Sequence, residues 1–179
     1  MKEDIKEVLF SSDTLSEKVR ELAEKISADY KGKDLVVVGI LKGSVIFAAE
    51  LIKNISIQCE IDFMAVSSYG NSTETSGVVR ILKDLDSNIE GKDILIVEDI
   101  VDTGTTLKYL LGYLKARKAN SIEIVSLLNK PARRKVELDV KYIGFEVPDA
   151  FIVGYGIDYA ERYRNLPYIG ILKPEVYEK

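Results

Sequence analysis

Hydrophobic and polar positions follow two patterns along the chain, one typical of buried strands and one typical of amphipathic helices. Continuous apolar runs predict strands over residues 34–40, 59–69, 77–85, 93–100, 121–129, 142–147 and 151–158. Apolar residues three and four positions apart predict helices that end near residue 29, cover residues 44–54, and follow the strand at 93–100. Because strands alternate with helices, we expect one α/β domain over residues 1–179, with a mainly parallel sheet flanked by helices.

The composition narrows the chemistry and the location. The chain has no histidine and one cysteine, Cys59, so an internal disulfide and the usual zinc ligand sets are excluded and any metal should be bound by oxygen. Proton transfer then falls to Asp, Glu, Lys or Tyr side chains. The net charge of −4 argues against broad binding to nucleic acid or to an anionic membrane. The charged N-terminus does not resemble a signal peptide, and no apolar run approaches the roughly 18 residues of a membrane span, so we expect a cytoplasmic protein.

The junction between the strand at 93–100 and the next helix carries the strongest functional signal. Its polar residues are Glu98, Asp99, Asp102, Thr103, Gly104, Thr105 and Thr106. Ligands of parallel sheets bind beyond the carboxyl ends of the strands, which is where these residues lie. The free N–H groups of the helix start, its positive dipole end and the threonine hydroxyls suit a phosphate monoester, while Gly104 permits a positive φ or close approach of the ligand.

The acidic pair suggests the rest of that ligand. Adjacent strand residues point to opposite faces, so Glu98 and Asp99 should reach one ligand only where the strand frays. Paired carboxylates suit the vicinal hydroxyls of a ribose, and a Mg²⁺ ion near a diphosphate could neutralise them. An ordinary capped helix is the plainer alternative. The spacing excludes the patterns GxxxxGK[ST], DxD and GxGxxG. The junction therefore predicts a site for a phosphorylated ribose.

The same residues carry a family resemblance. The segment VEDIVDTGTTL resembles the phosphoribosyl-pyrophosphate signature of the type I phosphoribosyltransferases. Three further segments resemble the hypoxanthine-guanine branch, in the order of that family: GILKGS, SSYG followed by GVVRILKDLD, and VPDAFIVGYGIDYAERYRNLPYIG. The resemblance covers nearly the whole chain. It implies a twisted, mainly parallel sheet flanked by helices, with a small hood formed by the terminal segments.

The resemblance implies roles for the phosphoribosyl and pyrophosphate side of the site. Asp102 to Thr106 would hold the 5′-phosphate, and Glu98 and Asp99 the ribose hydroxyls. The backbone around Lys42 and Gly43 would bind pyrophosphate, often with a cis peptide between Leu41 and Lys42. The implied set for this side is Glu98, Asp99, Asp102, Thr103, Gly104, Thr105 and Thr106 for phosphoribosyl, with Lys42, Gly43, Tyr69 and Arg164 for pyrophosphate.

The purine side and the metal are implied in the same way. Asp102 would also act as proton acceptor near purine N7, and Lys130 would donate to the 6-oxo group. Phe151 would stack on the base and the backbone of Ile152 would contact the purine edge. Asp158 is counted both with this purine-binding group and as a Mg²⁺-linked carboxylate. The implied Mg²⁺ ligands are Glu98, Asp99 and Asp158.

A loop is expected to cover the site. The segment at 77–85 is predicted to pair as a hairpin with the strand at 59–69. Residues 68–77 between them are polar and glycine-bounded, which predicts a flexible active-site loop, with Tyr69 over the pyrophosphate side. A plain hairpin connection is the alternative.

The resemblance implies Mg²⁺-dependent transfer of the 5-phosphoribosyl group from phosphoribosyl pyrophosphate to N9 of hypoxanthine or guanine. The products would be IMP or GMP and pyrophosphate, in purine salvage, by a homodimer or homotetramer that binds neither nucleic acid nor membrane. A related regulator that binds a nucleotide or RNA is an alternative, with basic clusters only at 115–118 and 130–135. Lys130, a donor, argues against adenine as the base, whereas a preference for xanthine stays open.

Overall fold

A computed structural model describes residues 1–68 and 79–178 of the chain. Its strands are β1 (Ile5–Phe10), β2 (Leu35–Leu41), β3 (Glu60–Ser68), β4 (Val79–Lys83), β5 (Asp93–Val101), β6 (Ser121–Asn129), β7 (Tyr142–Glu146), β8 (Ile152–Val153) and β9 (Ile169–Leu172). Its α-helices are α1 (Ser12–Asp29), α2 (Val45–Asn54), α3 (Thr105–Ala116) and α4 (Pro174–Tyr177), and two 3₁₀ turns cover Lys2–Asp4 and Pro131–Arg133. α1 begins where Ser11 accepts a hydrogen bond from the N–H of Thr14 at 3.2 Å, which caps one otherwise free donor.

The main sheet has the strand order β4-β3-β2-β5-β6-β7 in the described part of the chain. Five strands run parallel to one another: β2, β3, β5, β6 and β7. The edge strand β4 is antiparallel to β3. The predicted α/β class with a mainly parallel sheet is therefore confirmed. β4 also confirms the predicted hairpin pairing, through the register Ser67↔Arg80.

Both faces of this sheet are buried because alternate side chains of β2 and β5 enter two different cores. Val37 and Leu95 pack with α1 and α2 on one face. Val36 and Ile94, the neighbours of those residues, pack with α3 on the other. Burial of each such side chain contributes roughly 1.5–3 kcal/mol, so the continuous apolar runs hold the two central strands in place. The sites at their carboxyl ends are thereby built on rigid elements.

The terminal segments form a second, antiparallel sheet with the strand order β1-β9-β8. This sheet corresponds to the hood that the family resemblance implies. The hydrophobic pattern did not predict β1 or β9. β1 is the charged and largely exposed sequence IKEVLF, and β9 has four residues, so neither has the continuous apolar run of a central strand.

Two other predictions need comment. The prediction of a strand over residues 151–158 is wrong beyond Val153. Gly154, Tyr155 and Gly156 have φ values of 101°, 51° and 102°, which end the strand in a turn. The predicted flexible loop at 68–77, with Tyr69, lies almost entirely outside the described residues. Among the helices of the described ranges, none is both long and apolar enough to cross a membrane.

Candidate active site

The candidate site is a cleft of about 230 Å³ at the carboxyl ends of β2 and β5. Its lining residues are Ile40, Leu41, Val66, Glu98, Ile100, Val101, Asp102, Thr103, Gly104, Thr106 and Leu107. These residues combine apolar walls from the strands with an acidic floor and a hydroxyl-rich turn. Such a cleft suits a small polar ligand that carries both hydroxyl and phosphate groups.

The turn from β5 into α3 is shaped around Gly104. This residue precedes the helix with a φ of 81°, and a Cβ added there would lie 3.1 Å from Cδ of Arg134. Glycine is thus favoured both by the left-handed backbone and by close packing. Arg134 Nε donates to the carbonyl of Asp102 at 3.1 Å, and the N–H of Lys135 donates to the carbonyl of Thr103 at 3.0 Å. These bonds fix the turn from outside, while the helix start directs its free N–H groups to the cleft.

Glu98 and Asp99 meet although they are neighbours on one strand. The pairing of β5 with β2 ends at Gly39↔Val97, just before the acidic pair, whereas its pairing with β6 continues from Glu98↔Ser126 to Val101↔Asn129. The acidic pair therefore lies where β5 has a paired strand on one side only. A hydrogen bond joins the two carboxyl groups.

The electrostatics of the acidic pair follow from this contact. Burial and then the Asp99 charge raise the pKa of Glu98 well above its usual range. Burial also raises the pKa of Asp99, although its hydrogen bonds with Glu98 and with the N–H of Ile100 and the charge of Arg164 act in the opposite direction. Burial therefore disfavours two negative charges side by side on Glu98 and Asp99. A ligand that supplies donors or a cation can offset that cost.

The loop after β2 packs directly on this pair. The peptide between Leu41 and Lys42 is cis, as the family resemblance implies. A Cβ at Gly43 would collide with the Asp99 carboxylate, and one at Gly156 would collide with the carbonyl of Gly43. The Gly43 backbone therefore lies against the Asp99 side chain and the Gly156 backbone lies against that of Gly43, and the absence of side chains at both glycines permits these contacts.

Arg164 and Asp158 form a second charged group beside this loop. Arg164 Nη2 lies 2.9 Å from Asp158 Oδ1, and Arg164 Nη1 donates to the carbonyl of Gly156 at 2.8 Å. The other carboxylate oxygen of Asp158 accepts from the N–H of Glu161 at 2.8 Å. The described residues contain no grouping of three or more acidic or thiol side chains arranged to hold a metal. Asp158 is thus paired with Arg164 and does not join Glu98 and Asp99.

The residues expected to bind a purine lie on the other side of Asp102. Lys130 is 6% exposed, its Nζ donates to the carbonyl of Ala150 at 2.9 Å, and burial lowers its pKa. Phe151 is 43% exposed and stacks on Tyr177 of α4 with ring centroids 4.3 Å apart. Ile152 is buried in β8, where it pairs with Ile171. The hood therefore supports one face of Phe151.

Several residues near the site were not singled out from the sequence. Arg133 Nε lies 2.6 Å from Asp149 Oδ1, and Arg133 Nη1 lies 4.0 Å from Asp102 Oδ2. Arg134 donates to the side chain of Asn129 as well as to the turn. In sequence these arginines form only a basic cluster, KPARRK, and nothing in that pattern separates a surface charge from a residue that braces the site.

Among described side chains, three atoms are buried without a hydrogen-bond partner, and one of them, Tyr30 Oη, lies in the core. The two that belong to candidate site residues are Asp102 Oδ1 and Arg164 Nε. One is an acceptor and the other a donor, and they belong to the two charged groups on either side of the acidic pair. Because leaving such atoms unpaired costs roughly 1–3 kcal/mol each, a bound molecule that pairs them is stabilised accordingly.

A parallel sheet with an acidic pair and a helix start at its carboxyl edge is the arrangement expected of a protein that binds a phosphorylated ribose. The model of the phosphoribosyl transferase domain matches residues 10–160. The chain belongs to the phosphoribosyltransferase family.

Individual relatives agree with this assignment. The hypoxanthine-guanine phosphoribosyltransferase of Bacillus subtilis is 57% identical over 178 residues, which are 99% of each chain. A crystal structure of a hypoxanthine phosphoribosyltransferase from Staphylococcus aureus has a TM-score of 0.98 and 56% identity, and the match covers 100% of this chain and 97% of that one. The bifunctional protein TilS/HprT of Listeria monocytogenes is 55% identical over this whole chain, which spans 28% of its length. The fold is the type I phosphoribosyltransferase fold.

Proposed function

We propose that this protein is an enzyme of purine salvage that transfers the 5-phosphoribosyl group from phosphoribosyl pyrophosphate to N9 of hypoxanthine or guanine. The products are IMP or GMP and pyrophosphate. The observation that carries the proposal is the unpartnered Asp102 Oδ1, which lies between a phosphate-binding turn and the buried Lys130. Full-length identity to hypoxanthine-guanine phosphoribosyltransferases supports the same reaction.

The phosphoribosyl half of the substrate binds along β5 and the start of α3. The N–H groups and hydroxyls of Thr103, Thr105 and Thr106 hold the 5′-phosphate, helped by the helix dipole. Ribose hydroxyls donate to Glu98 and Asp99 in place of the proton that joins the two carboxyls. Gly104 keeps the turn open to the phosphate because it adds no side chain.

The acidic pair also suits Mg²⁺. Two adjacent carboxyl groups are the oxygen donors that this ion prefers. Glu98 and Asp99 would hold the ion together with the substrate, and Asp158 would join them only by giving up Arg164. Mg²⁺ held there would neutralise charge on the diphosphate.

The purine binds between Lys130 and Phe151. Lys130 is donor-only and donates to a 6-oxo group, which favours hypoxanthine or guanine over adenine. The exposed part of Phe151 stacks on the ring, and the backbone of Ile152 contacts its edge. Asp102 Oδ1 accepts the N7 proton as N9 attacks, which relieves the positive charge that would build up on the ring.

Bond making and bond breaking follow from this placement. The bond between ribose C1 and the pyrophosphate oxygen breaks, its electron pair leaves with pyrophosphate, and the sugar passes through an oxocarbenium-like state. Purine N9 forms the new bond to C1. The Lys42 and Gly43 backbone and Arg164 stabilise the departing anion, and Tyr69 is proposed to cover it, although Tyr69 lies outside the described residues. The effect of this half of the site is mainly electrostatic.

The alternatives gain no support from the site. Lys130, Arg133 and Arg134 of the basic segment 130–135 bond to Ala150, Asp149 and Asn129 around the cleft and are therefore engaged in the site. This argues against a surface for RNA. A homodimer or homotetramer in the cytoplasm completes the proposal on the basis of the family resemblance.

The proposal is tested by incubating purified protein with phosphoribosyl pyrophosphate, Mg²⁺ and each of hypoxanthine, guanine, xanthine and adenine, and measuring nucleotide formation. We expect IMP and GMP, with little product from adenine. Product from adenine alone would contradict the role of Lys130, and a preference for xanthine would change the substrate but keep the reaction.

A further inference from the structure

One carboxylate lies where the proposed function puts pyrophosphate. Glu161 Oε2 lies 3.0 Å from Lys42 Nζ, and Glu161 Oε1 lies 3.2 Å from Arg164 Nη2. Arg164 is the cation assigned to the pyrophosphate side, and the Lys42 ammonium extends from the residue whose backbone is assigned to the same group. A single carboxylate thus joins them in the same way as two oxygens of one phosphate group would.

The backbone turn directs Glu161 toward these cations. Ala160 and Glu161 have φ values of 51° and 61°, in a left-handed region that residues other than glycine adopt infrequently. Tyr159 and Arg162 exchange backbone hydrogen bonds of 3.1 and 3.0 Å across this turn. The N–H of Glu161 is held by Asp158 at 2.8 Å. The position of the carboxylate is therefore supported by four neighbouring residues rather than by the ion pairs alone.

The charge state and the exposure of Glu161 agree with a replaceable anion. Hydrogen bonds from Lys42 and Arg164 lower the pKa of Glu161, so its carboxyl is ionised at neutral pH. The side chains of Lys42 and Glu161 are 69% and 66% exposed. Exposed ion pairs contribute little, so an incoming anion can separate them at small cost.

We propose that Glu161 is an internal competitor of pyrophosphate, which occupies Lys42 and Arg164 in the free enzyme and must leave them when the pyrophosphate group binds. The inference rests on the proposed binding of pyrophosphate by Arg164 and by the backbone at Lys42, and it adds the Lys42 ammonium to that group. Glu161 weakens binding of the leaving group and, by returning to the cations, favours its release after transfer. It acts through Lys42 and Arg164 and is not itself a catalytic residue.

The experiment measures binding of inorganic pyrophosphate at fixed Mg²⁺ by titration calorimetry. Glu161→Gln keeps the shape and removes the charge, and we expect its dissociation constant for pyrophosphate to fall by about 3–5-fold, as for the loss of one exposed ion-pair competitor. Glu161→Ala should change in the same direction. Glu17→Gln removes one exposed carboxylate from α1 and serves as the matched control. Binding of IMP, which does not reach Lys42 or Arg164, should change by less than about 1.5-fold in all variants.

The results of this titration either support or contradict the proposed competition between Glu161 and pyrophosphate. Unchanged or weaker pyrophosphate binding in Glu161→Gln would mean that Glu161 only positions the cations and would overturn the inference. If pyrophosphate binding became equally tight in Glu17→Gln, the effect would come from net charge alone and the inference would be overturned. An absence of pyrophosphate binding in every protein would also overturn the inference. Nucleotide formation by the wild-type protein is measured separately and decides the proposed function.

Discussion

The two halves of the cleft are built in different ways. The phosphoribosyl half comes from one continuous stretch, residues 98–106, where β5 passes into α3. The pyrophosphate and purine half is assembled from three distant segments, around Lys42, Lys130 and Arg164. In the first half, the hydrogen bonds to the turn come from backbone or from one bracing arginine. In the second, charged side chains already pair with one another.

This difference has a functional consequence. Under the proposed function, a phosphate that stays with the product throughout the reaction needs a rigid, preformed cradle, and the helix start is proposed to provide one. The leaving group must depart, and its cations are shared with Asp158 and Glu161. The two halves therefore favour retention and exchange, respectively. Three substitutions test this contrast.

Asp102→Asn should have the largest effect. The variant loses the acceptor for the N7 proton while its shape is kept, so we expect kcat for IMP formation to fall by about 10²–10³-fold. The free energy of unfolding should change by less than about 1 kcal/mol, because the side chain is partly exposed and Oδ1 has no partner to lose within the described residues.

Asp139→Asn is the matched control, because Asp139 is exposed and lies shortly after the basic segment 130–135. This variant should keep normal turnover. Steady-state kinetics and urea unfolding measure both quantities. Turnover in Asp102→Asn equal to that of the control would remove Asp102 from the chemistry.

Lys130→Ala should have the next largest effect, and this effect should appear in the kinetic constants for the purine. A hydrogen bond from a charged donor contributes about 1.5–3 kcal/mol, so kcat/KM for hypoxanthine should fall by about 10–100-fold. The KM for phosphoribosyl pyrophosphate should stay nearly constant, since Lys130 lies beyond Asp102 from the phosphate turn. Lys135→Ala, exposed in the same segment, is the control. A loss that appears mainly in the KM for phosphoribosyl pyrophosphate would contradict the assignment.

Glu98→Gln should have the smallest effect, and it should appear as a pH dependence of stability. Burial raises the folded-state pKa of Glu98 above its unfolded value of about 4.3. The group therefore contributes stability at low pH that is lost as pH rises through the folded pKa. A glutamine does not titrate, so the free energy of unfolding of the variant should rise relative to that of the wild type between about pH 5 and pH 8. We expect a relative increase on the order of 1 kcal/mol, because the side chain is partly exposed.

Thermal unfolding of both proteins in ligand-free buffers across that range measures the difference. Glu17→Gln should show a difference from wild type that does not depend on pH. A constant difference for Glu98→Gln as well would mean that the acidic pair does not hold a shared proton.

The sequence predicted those parts of the molecule that depend on neighbouring residues. The central strands β2 and β5 were found because each residue of a strand buried on both faces is apolar, and α1 ends where its periodic pattern ends. The turn from β5 into α3 was singled out because threonines and a glycine at a helix start suit a phosphate, and its role as the phosphate site stays a prediction. The hood was not found by pattern, because β1 and β9 are too short or too charged to differ from loops until they pair.

The sequence by itself therefore determined the alternation of strands and helices and the contiguous Glu98–Thr106 half of the cleft, since periodicity and helix capping act over a few residues. Only the tertiary structure decided that burial raises the pKa of both Glu98 and Asp99, that Arg133 binds Asp149, and that Glu161 joins Lys42 to Arg164. The physical reason is that charge interactions depend on distances of a few ångströms between atoms whose residues are separated by up to 119 positions in the chain. No local pattern encodes those distances.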